Sequence, residues 1–336
     1  MTVHRYKDVQ LVASNQDPLI DMLTFLSFLR ARDFTIDILV GRHGLSSADA
    51  KSRTKLIVPH VQVASNYLEQ GAAGHADISF LSLYYGILNL LKVYVLIGPH
   101  HASLPSNRWH GATYNGMEKD SHSIATEIIT IKKGGVIPLF YKTIVGKALT
   151  TSELEIRIGD VLPFVSGVTH EYALATNQES GLIGGRFDTT NLGTGDIHRF
   201  SLGDIYQNAI PIRSLKALRG FTTAKSPLVN VFYGPAVAST ADIRSTINCR
   251  LLYDLQSDLS FVPACNKRVE LFEELPIALL FFYLSNICRY KPEFLDKLQE
   301  SRYWPLLVSC RTHALHAFLR CFWSFINQKS IFIQAA

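Results

Sequence analysis

The hydrophobic pattern predicts a long helix at residues 81–98, LSLYYGILNLLKVYVLIG. Its apolar positions recur at steps of three or four: Tyr84, Leu88, Leu91 and Val95. That period is typical of one face of a helix. Asn89 and Lys92 interrupt the apolar run at a spacing of three, so both lie on a neighbouring face. We therefore expect a central helix with a polar pair at the edge of the core.

A membrane span is the alternative interpretation of this stretch. The residues from Ile78 to Ile97 have the length of roughly 20 residues that a bilayer requires. Lys92 opposes that interpretation, because a lysine at the centre of a span costs roughly 2.5–3.5 kcal/mol. The pattern therefore favours a core helix, and no membrane span is expected.

Two further helices are predicted before residue 81. The segment 17–34, DPLIDMLTFLSFLRARDF, begins with Asp17 as an N-cap and Pro18 at the first helical position. The segment 60–71, HVQVASNYLEQG, is a shorter candidate that ends at Gly71. Between them, residues 41–54 have the polar composition of a connector.

The middle of the chain predicts loops and a small β element. Residues 99–122 are rich in Pro, Gly, Asn and His and have neither the helical nor the strand period. This loop contains histidines without a metal-binding spacing: His100, His101, His110 and His122. Residues 126–146 are rich in β-branched residues on either side of Gly134 and Gly135, which predicts a hairpin.

The C-terminal block, residues 275–326, is predicted to be helical again. Pro292 closes one helix near Tyr290 and precedes a short second helix, and Pro305 begins a third. The predicted class is α+β and predominantly α, with a helical core from both ends of the chain and a small β insertion. We expect one compact unit made of residues 1–124, 125–265 and 266–336.

Composition and charge narrow the class of protein without defining an activity. Apolar residues make up 47% and charged residues 18% of the 336 residues, which is typical of a well-filled core. The net charge of +5 permits contact with nucleic acid or an acidic protein but does not require it. No nucleotide-binding G-x-x-x-x-G-K-[ST] motif or nucleophile G-x-S-x-G motif occurs, and no cofactor is expected.

The cysteines predict free thiols in a reducing compartment. They are odd in number and form no C-x-x-C pair: Cys249, Cys265, Cys288, Cys310 and Cys321. This spacing favours neither a disulfide framework nor a zinc site. The first residues carry no apolar segment behind their basic residues, so a cytoplasmic protein is expected.

Four segments resemble, in order and spacing, the YaaC-like proteins of prokaryotes. They are LYYGILNLLKVYVL at 83–96, HG at 110–111, LEIRIGDVLPFVSGVTHEY at 154–172 and FYLSNICRYKP at 282–292, the last being the most specific. The resemblance extends over about residues 60–325. It implies that the first and last of these segments form helices that pack together, and it implies no established reaction. Some members look like parts of anti-virus systems.

A second, shorter resemblance concerns RTHALH, in which Arg311 and His316 form an R-x-x-x-x-H pattern. This pattern is similar to the motif of HEPN ribonucleases, in which an Arg and a His stabilise charge and move a proton without metal. The HEPN motif usually has a polar residue such as Asn or Asp directly after the Arg, and this chain has Thr312 there. Five residues also turn an α-helix by about 140°, so a dimer or a bend is required. The alternative is an amphipathic helix with Arg311 solvated.

Two classes of function follow from these observations. The favoured hypothesis is a non-catalytic interaction subunit whose apolar and aromatic surface, including Leu319, Phe322, Trp323 and Phe325, contacts a partner. The partner is expected to be a protein encoded nearby, such as a nuclease, an Argonaute or a membrane effector, through which nucleic acid is reached. The alternative is a HEPN-like metal-independent endoribonuclease that uses Arg311 and His316.

The candidate binding residues for the interaction subunit are Asn89, Lys92, His110, Arg289 and Tyr290. Arg289 ends an apolar helix, where its guanidinium can meet the last carbonyl groups as a C-cap. Binding of an anion is its functional alternative.

Overall fold

The computed structural model describes residues 9–14, 17–116, 123–149, 152–191, 196–202, 222–223, 231–233, 252–254, 259–263 and 272–335. The helices in these ranges are α1 Pro18–Phe28, α2 Arg32–Gly41, α3 Ser47–Ala73, α4 Ala76–Ile97, α5 Val136–Val145, α6 Ile158–Val161, α7 Thr169–Thr176, α8 Glu274–Tyr290, α9 Pro292–Gln299, α10 Trp304–Ser309 and α11 Leu315–Asn327. A π-helical turn, Cys310–Ala314, joins α10 to α11.

The strands form three sheets. An antiparallel sheet contains β2 Ala112–Tyr114, β3 Ile128–Ile131 and β4 Leu154–Arg157. A larger antiparallel sheet has the order β7-β8-β6-β5-β10-β9, with β5 Leu182–Asn191, β6 Asp196–Leu202, β7 Thr222–Thr223, β8 Val231–Tyr233, β9 Leu252–Asp254 and β10 Leu259–Pro263. The strands β1 Val9–Ser14 and β11 Ser330–Ala335 pair in parallel and join the two terminal segments. The predicted class, α+β and predominantly α, is confirmed.

Helix α4 lies at the centre of the helical core and is antiparallel to α3. Arg53, near the start of α3, donates to the carbonyls of Leu96, Ile97 and Gly98 at the end of α4, over 3.0, 2.9 and 3.1 Å. These bonds satisfy carbonyl groups that have no partner within the helix.

Helix α8 covers another side of α4 and is also antiparallel to it. Near the end of α4, the Tyr94 hydroxyl donates to Oε1 of Glu274 at the start of α8 over 3.1 Å. Near the start of α4, Tyr85 contacts Arg289 at the end of α8. This is the helix pair that the family resemblance implied.

Two glycines allow α3 and α4 to approach closely. A Cβ atom at Gly86 in α4 would lie 2.5 Å from Cγ of Leu68 in α3, and one at Gly71 would lie 2.7 Å from Cγ of Leu83. Leu68 and Leu83 are fully buried, so neither can move aside. The separation of the two helices therefore depends on glycine at both positions.

By length and composition, α4 is the one helix in the described part of the chain that could cross a membrane. In the 18-residue stretch of α4 that is apolar enough to cross a membrane, 83% is buried inside the protein. Such burial is typical of a core helix that is apolar on every side.

Three local predictions were wrong. The segment 17–34 forms two helices, because the chain is extended at Ala31 and the Thr35 hydroxyl donates to the Leu29 carbonyl over 2.7 Å. The predicted connector 41–54 contains the first turns of α3, whose N-cap Ser46 accepts from the amide of Asp49 over 3.1 Å. Helix α3 then continues through Pro59 and Gly71.

The predicted hairpin at residues 126–146 is a strand followed by a helix. β3 ends at Ile131, and α5 begins after Gly135, whose φ of +111° reverses the chain direction. The β-branched residues after Gly135 pack into the core as one side of α5, with Val136 and Ile137 fully buried. Alternation and helical amphipathicity are difficult to distinguish over such short segments.

The aromatic side chains of α11 lie in or against the core. Phe322 and Leu319 are buried. Trp323 stacks on Phe25 with ring centroids 4.4 Å apart, and Phe325 lies 4.4 Å from Tyr94 by the same measure. These residues are therefore not an open apolar surface of the chain.

We predict that Gly86→Ala lowers the free energy of unfolding by about 1–2 kcal/mol, because overpacking against Leu68 exceeds the gain in helix propensity. The control is Gly41→Ala, since a Cβ at Gly41 meets nothing within 4 Å. We expect that variant to be unchanged or stabilised by up to about 1 kcal/mol. Urea unfolding of both variants tests this, and equal effects would contradict the close packing of α3 and α4.

Candidate functional site

A group of cationic, aromatic and polar side chains from four parts of the chain, namely α3, α4, the segment 107–111 and the end of α8, meets on one side of α4. We call it the cationic–aromatic surface. Its members are His60, Tyr67, Tyr85, Asn89, Lys92, Arg108, His110, Arg289 and Tyr290. All the binding residues predicted from the sequence, Asn89, Lys92, His110, Arg289 and Tyr290, belong to it.

The α3–α4 pair positions the first half of this surface. Tyr85, Asn89 and Lys92 follow one another at steps of four and three, so they lie along one face of α4. His60 and Tyr67 lie seven residues apart on α3. Nδ1 of His60 is 2.8 Å from Oδ1 of Asn89, and the ring of Tyr67 lies 5.5 Å from that of Tyr85.

The segment 107–111 supplies Arg108 and His110 and is attached to the start of α5. The amides of Val136 and Ile137 donate to the carbonyls of Trp109 and His110 over 2.9 and 3.1 Å. The amide of Gly135 donates to Oδ1 of Asn107 over 3.0 Å. These bonds satisfy the first amides of α5 and hold the segment in one conformation.

His110 is oriented by the core residue Tyr84. Its Nδ1 forms a short hydrogen bond with the Tyr84 hydroxyl, and the two rings stack with centroids 5.5 Å apart. Burial raises the pKa of Tyr84, so this tyrosine stays protonated. The imidazole is therefore held at the surface by a neutral partner from α4.

Arg289 lies in the last turn of α8, against two tyrosine rings. Its guanidinium carbon is 5.2 Å from the ring centroid of Tyr85 and 5.2 Å from that of Tyr290. Its nitrogens donate to both hydroxyls, over 3.2 Å in the case of Tyr290. The predicted C-capping role is wrong for this side chain, because the guanidinium is directed at tyrosines and not at the last carbonyls of α8.

Among the residues that the structure describes, no carboxylate neutralises the cations of this surface. Within the described ranges, Lys92, Arg108 and Arg289 form no ion pair with an acidic side chain. Lys92 is only partly exposed, and its pKa is lowered by burial and then by the charge of Arg108. Like charges that lower one another's pKa without a compensating carboxylate are unfavourable for the folded state.

The two histidines respond to the same charges. Burial lowers the pKa of His60, the hydrogen bond to Asn89 opposes this shift, and the charge of Lys92 adds to it. Burial also lowers the pKa of His110, followed by the charges of Arg289 and Lys92. Both imidazoles are therefore neutral at pH 7, and the charge of the surface comes from the lysine and the arginines.

Arg311 and His316, the predicted ribonuclease residues, have contacts elsewhere. Nη2 of Arg311 donates to the carbonyl of Gly74 over 2.5 Å and lies 3.5 Å from that of Ala72, so it caps the end of α3. The solvated position expected for Arg311 is therefore wrong. Burial lowers the pKa of His316 to about 4, with further lowering by Arg320.

Four members of the surface are not predicted from the sequence: His60, Tyr67, Tyr85 and Arg108. The spacing of seven residues between His60 and Tyr67 indicates that both lie on one face of α3. Only the pairing of α3 with α4 shows that this face meets Asn89 and Lys92. Arg108 lies in a loop without periodicity, where sequence gives no direction to a side chain.

The described residues contain no group of three or more His, Cys, Asp or Glu that could hold a metal ion. Cys288, Cys310 and Cys321 form no disulfide within the described ranges, while Cys249, Cys265 and His122 lie outside those ranges. Of the side chains predicted to carry the chemistry, the structure thus brings together those of the cationic–aromatic surface, and Arg311 and His316 lie elsewhere.

The structure therefore defines a predominantly helical α+β protein with a basic, tyrosine-lined surface beside its central helix. A family model described as YaaC-like Protein matches residues 30–326, and the chain belongs to this family. No curated protein and no solved structure matches the chain.

We predict that His316 makes the protein less stable in acid. The pKa of this histidine is about 4 in the folded chain and 6.5 when unperturbed, so the unfolded chain binds the proton more strongly. The stability that depends on neutral His316 is present above pH 6.5 and is lost as the pH falls toward 4. The loss is at most about 3 kcal/mol.

Guanidinium unfolding at pH 7 and pH 5 measures this loss. His316→Gln, which cannot be protonated, should lose less free energy of unfolding between the two conditions than the wild type does. An equal loss in both proteins would show that His316 is not the group responsible.

Proposed function

We propose that the chain is a non-catalytic accessory subunit of a prokaryotic complex, and that it contacts nucleic acid through the cationic–aromatic surface. The observation that carries this proposal is the convergence of Lys92, Arg108 and Arg289, without carboxylate partners in the described ranges, beside tyrosine rings. Phosphate groups are the natural counterion for such a surface, and aromatic rings are common where proteins contact bases.

The proposed partner is a protein encoded nearby, such as a nuclease, an Argonaute or a membrane effector, in an anti-virus system. Exposed apolar side chains on the first helices support a protein partner. Phe28 is 56% exposed and Leu56 54% exposed, and the ring of Phe28 lies 5.8 Å from that of Phe34. These residues replace the α11 side chains as the proposed contact with a partner.

We predict that purification of the tagged chain from its host recovers a stoichiometric protein partner together with nucleic acid. A double variant, Lys92→Gln with Arg289→Gln, should retain the partner but lose most of the nucleic acid, because the phosphate contacts are weakened. The absorbance ratio at 260 and 280 nm and the composition of the complex measure both outcomes.

The matched control is Arg32→Gln, which removes an exposed arginine at the first residue of α2, outside the cationic–aromatic surface. It should leave the nucleic acid content unchanged. Recovery of a lone monomer without nucleic acid would refute the proposal, as would equal loss of nucleic acid in the control.

The HEPN-like ribonuclease is the less favoured function, because Arg311 already caps α3. We predict that the wild type does not cleave labelled RNA in EDTA. We also predict that Arg311→Ala lowers the free energy of unfolding by about 1–3 kcal/mol, since it removes the guanidinium that donates to the partly buried carbonyls of Ala72 and Gly74 at the end of α3.

Arg32→Ala is the control for stability and should change it little, because Arg32 is exposed. Cleavage by the wild type that disappears in both Arg311→Ala and His316→Ala would establish the ribonuclease instead.

A further inference from the structure

We infer that the cationic–aromatic surface binds single-stranded nucleic acid, with a base stacked on Tyr290 and the adjoining phosphates at Lys92 and Arg108. This inference rests on the proposed function and names its ligand. Two observations carry it. Arg289 lies against the rings of Tyr85 and Tyr290, and two further cations, Lys92 and Arg108, have no acidic partner in the described ranges.

Tyr290 provides a ring that a base can reach. It is 48% exposed, although it is the last residue of a helix whose other apolar side chains are almost all buried. Its hydroxyl accepts from Arg289, and the guanidinium lies 5.2 Å from its ring centroid. The ring thus contacts a cation, and about half of the side chain remains exposed.

The position of Arg289 favours stacking as well as charge. Its nitrogens donate to the hydroxyls of Tyr85 and Tyr290, which fix the guanidinium between the two rings. A planar guanidinium in a fixed orientation can stack on a base and also contact a phosphate oxygen. Tyr67, whose ring packs on Tyr85, extends the aromatic side of this arrangement onto α3.

The cations continue from this aromatic end along α4. Tyr85 and Lys92 are seven residues apart, which is roughly 10 Å along a helix. This distance corresponds to about three nucleotides at a stacked spacing of about 3.4 Å. Tyr85 and Tyr290 both contact the Arg289 guanidinium, and Arg108 lies close enough to Lys92 to lower its pKa, so we place the phosphates that follow a base stacked at Tyr290 toward Lys92 and Arg108.

A single strand fits this surface better than a duplex does. The faces of bases in a duplex are already stacked on one another, so Tyr290 and Arg289 could reach only the phosphates. In a single strand each base presents an open face, and stacking on an aromatic ring is independent of base identity. We therefore expect preference for single strands without strong preference for sequence.

The test is fluorescence anisotropy with the purified full chain and labelled ten-nucleotide single strands, compared with a duplex of the same sequence. The single strand should bind at least about tenfold more tightly than the duplex. Tyr290→Ala should weaken single-strand binding about tenfold and leave duplex binding unchanged. Tyr290→Phe, which keeps the ring, should bind like the wild type.

Charge variants separate phosphate contacts from stacking. Lys92→Gln and Arg108→Gln should weaken binding of single strand and duplex alike. Each should lower the slope of log affinity against log salt concentration by the amount that corresponds to about one phosphate contact. Arg32→Gln should change neither. Tyr290→Leu keeps an apolar side chain larger than alanine but without a ring. It should behave like Tyr290→Ala, which guards against a misfolded alanine variant.

Equal affinity for single strand and duplex would overturn the inference, as would full affinity in both Tyr290→Ala and Tyr290→Leu. Equal binding of a mononucleotide, or equal competition by inorganic polyphosphate, would also overturn it. Each of these outcomes leaves the accessory role in place if nucleic acid still copurifies through Lys92 and Arg289. Absence of nucleic acid in every experiment would refute the proposed function as well.

Discussion

The close antiparallel packing of α4 against α3 and α8 is the constraint on which both the core and the cationic–aromatic surface depend. Gly86 and Gly71 let α3 and α4 approach, while Tyr94 and Glu274 connect α4 to the start of α8. If α4 were rotated or withdrawn, Asn89 would no longer meet His60 on α3. The same packing that buries the apolar faces of α4 thus orients its polar face.

The surface that results is costly for a folded protein to maintain. Lys92 is partly buried near other cations, and burial and charge shift the pKa values of His60 and His110 in the direction of the neutral form. Natural proteins retain such unfavourable arrangements mainly at functional sites. The unfavourable electrostatics of this surface therefore support the proposal of a ligand that carries negative charge. The adjacent tyrosine rings favour a ligand that also has aromatic bases.

Much of the helical fold could be predicted because its signals are local. The apolar run of α4 and the prolines that separate α8, α9 and α10 act over a few residues, and the YaaC-like resemblance covers the helices that pack together. The errors occurred where tertiary contacts decide. Pro59 lies inside α3, and the residues after Gly135 form a helix because their amides meet the carbonyls of Trp109 and His110. The candidate site likewise contains residues that local sequence predicts and residues that only tertiary contacts define. Asn89 and Lys92 could be predicted because they interrupt an apolar run. His60 could not, because it joins the site only through the pairing of α3 with α4.

The attachment of residues 107–111 to the start of α5 has a thermodynamic consequence for recognition. Arg108 and His110 stand on a backbone whose carbonyls are already committed to the amides of Val136 and Ile137. Their chain entropy is lost during folding and not during association. A ligand that contacted this segment would therefore meet side chains on a backbone that is already ordered, and its affinity would not be reduced by the cost of ordering that backbone.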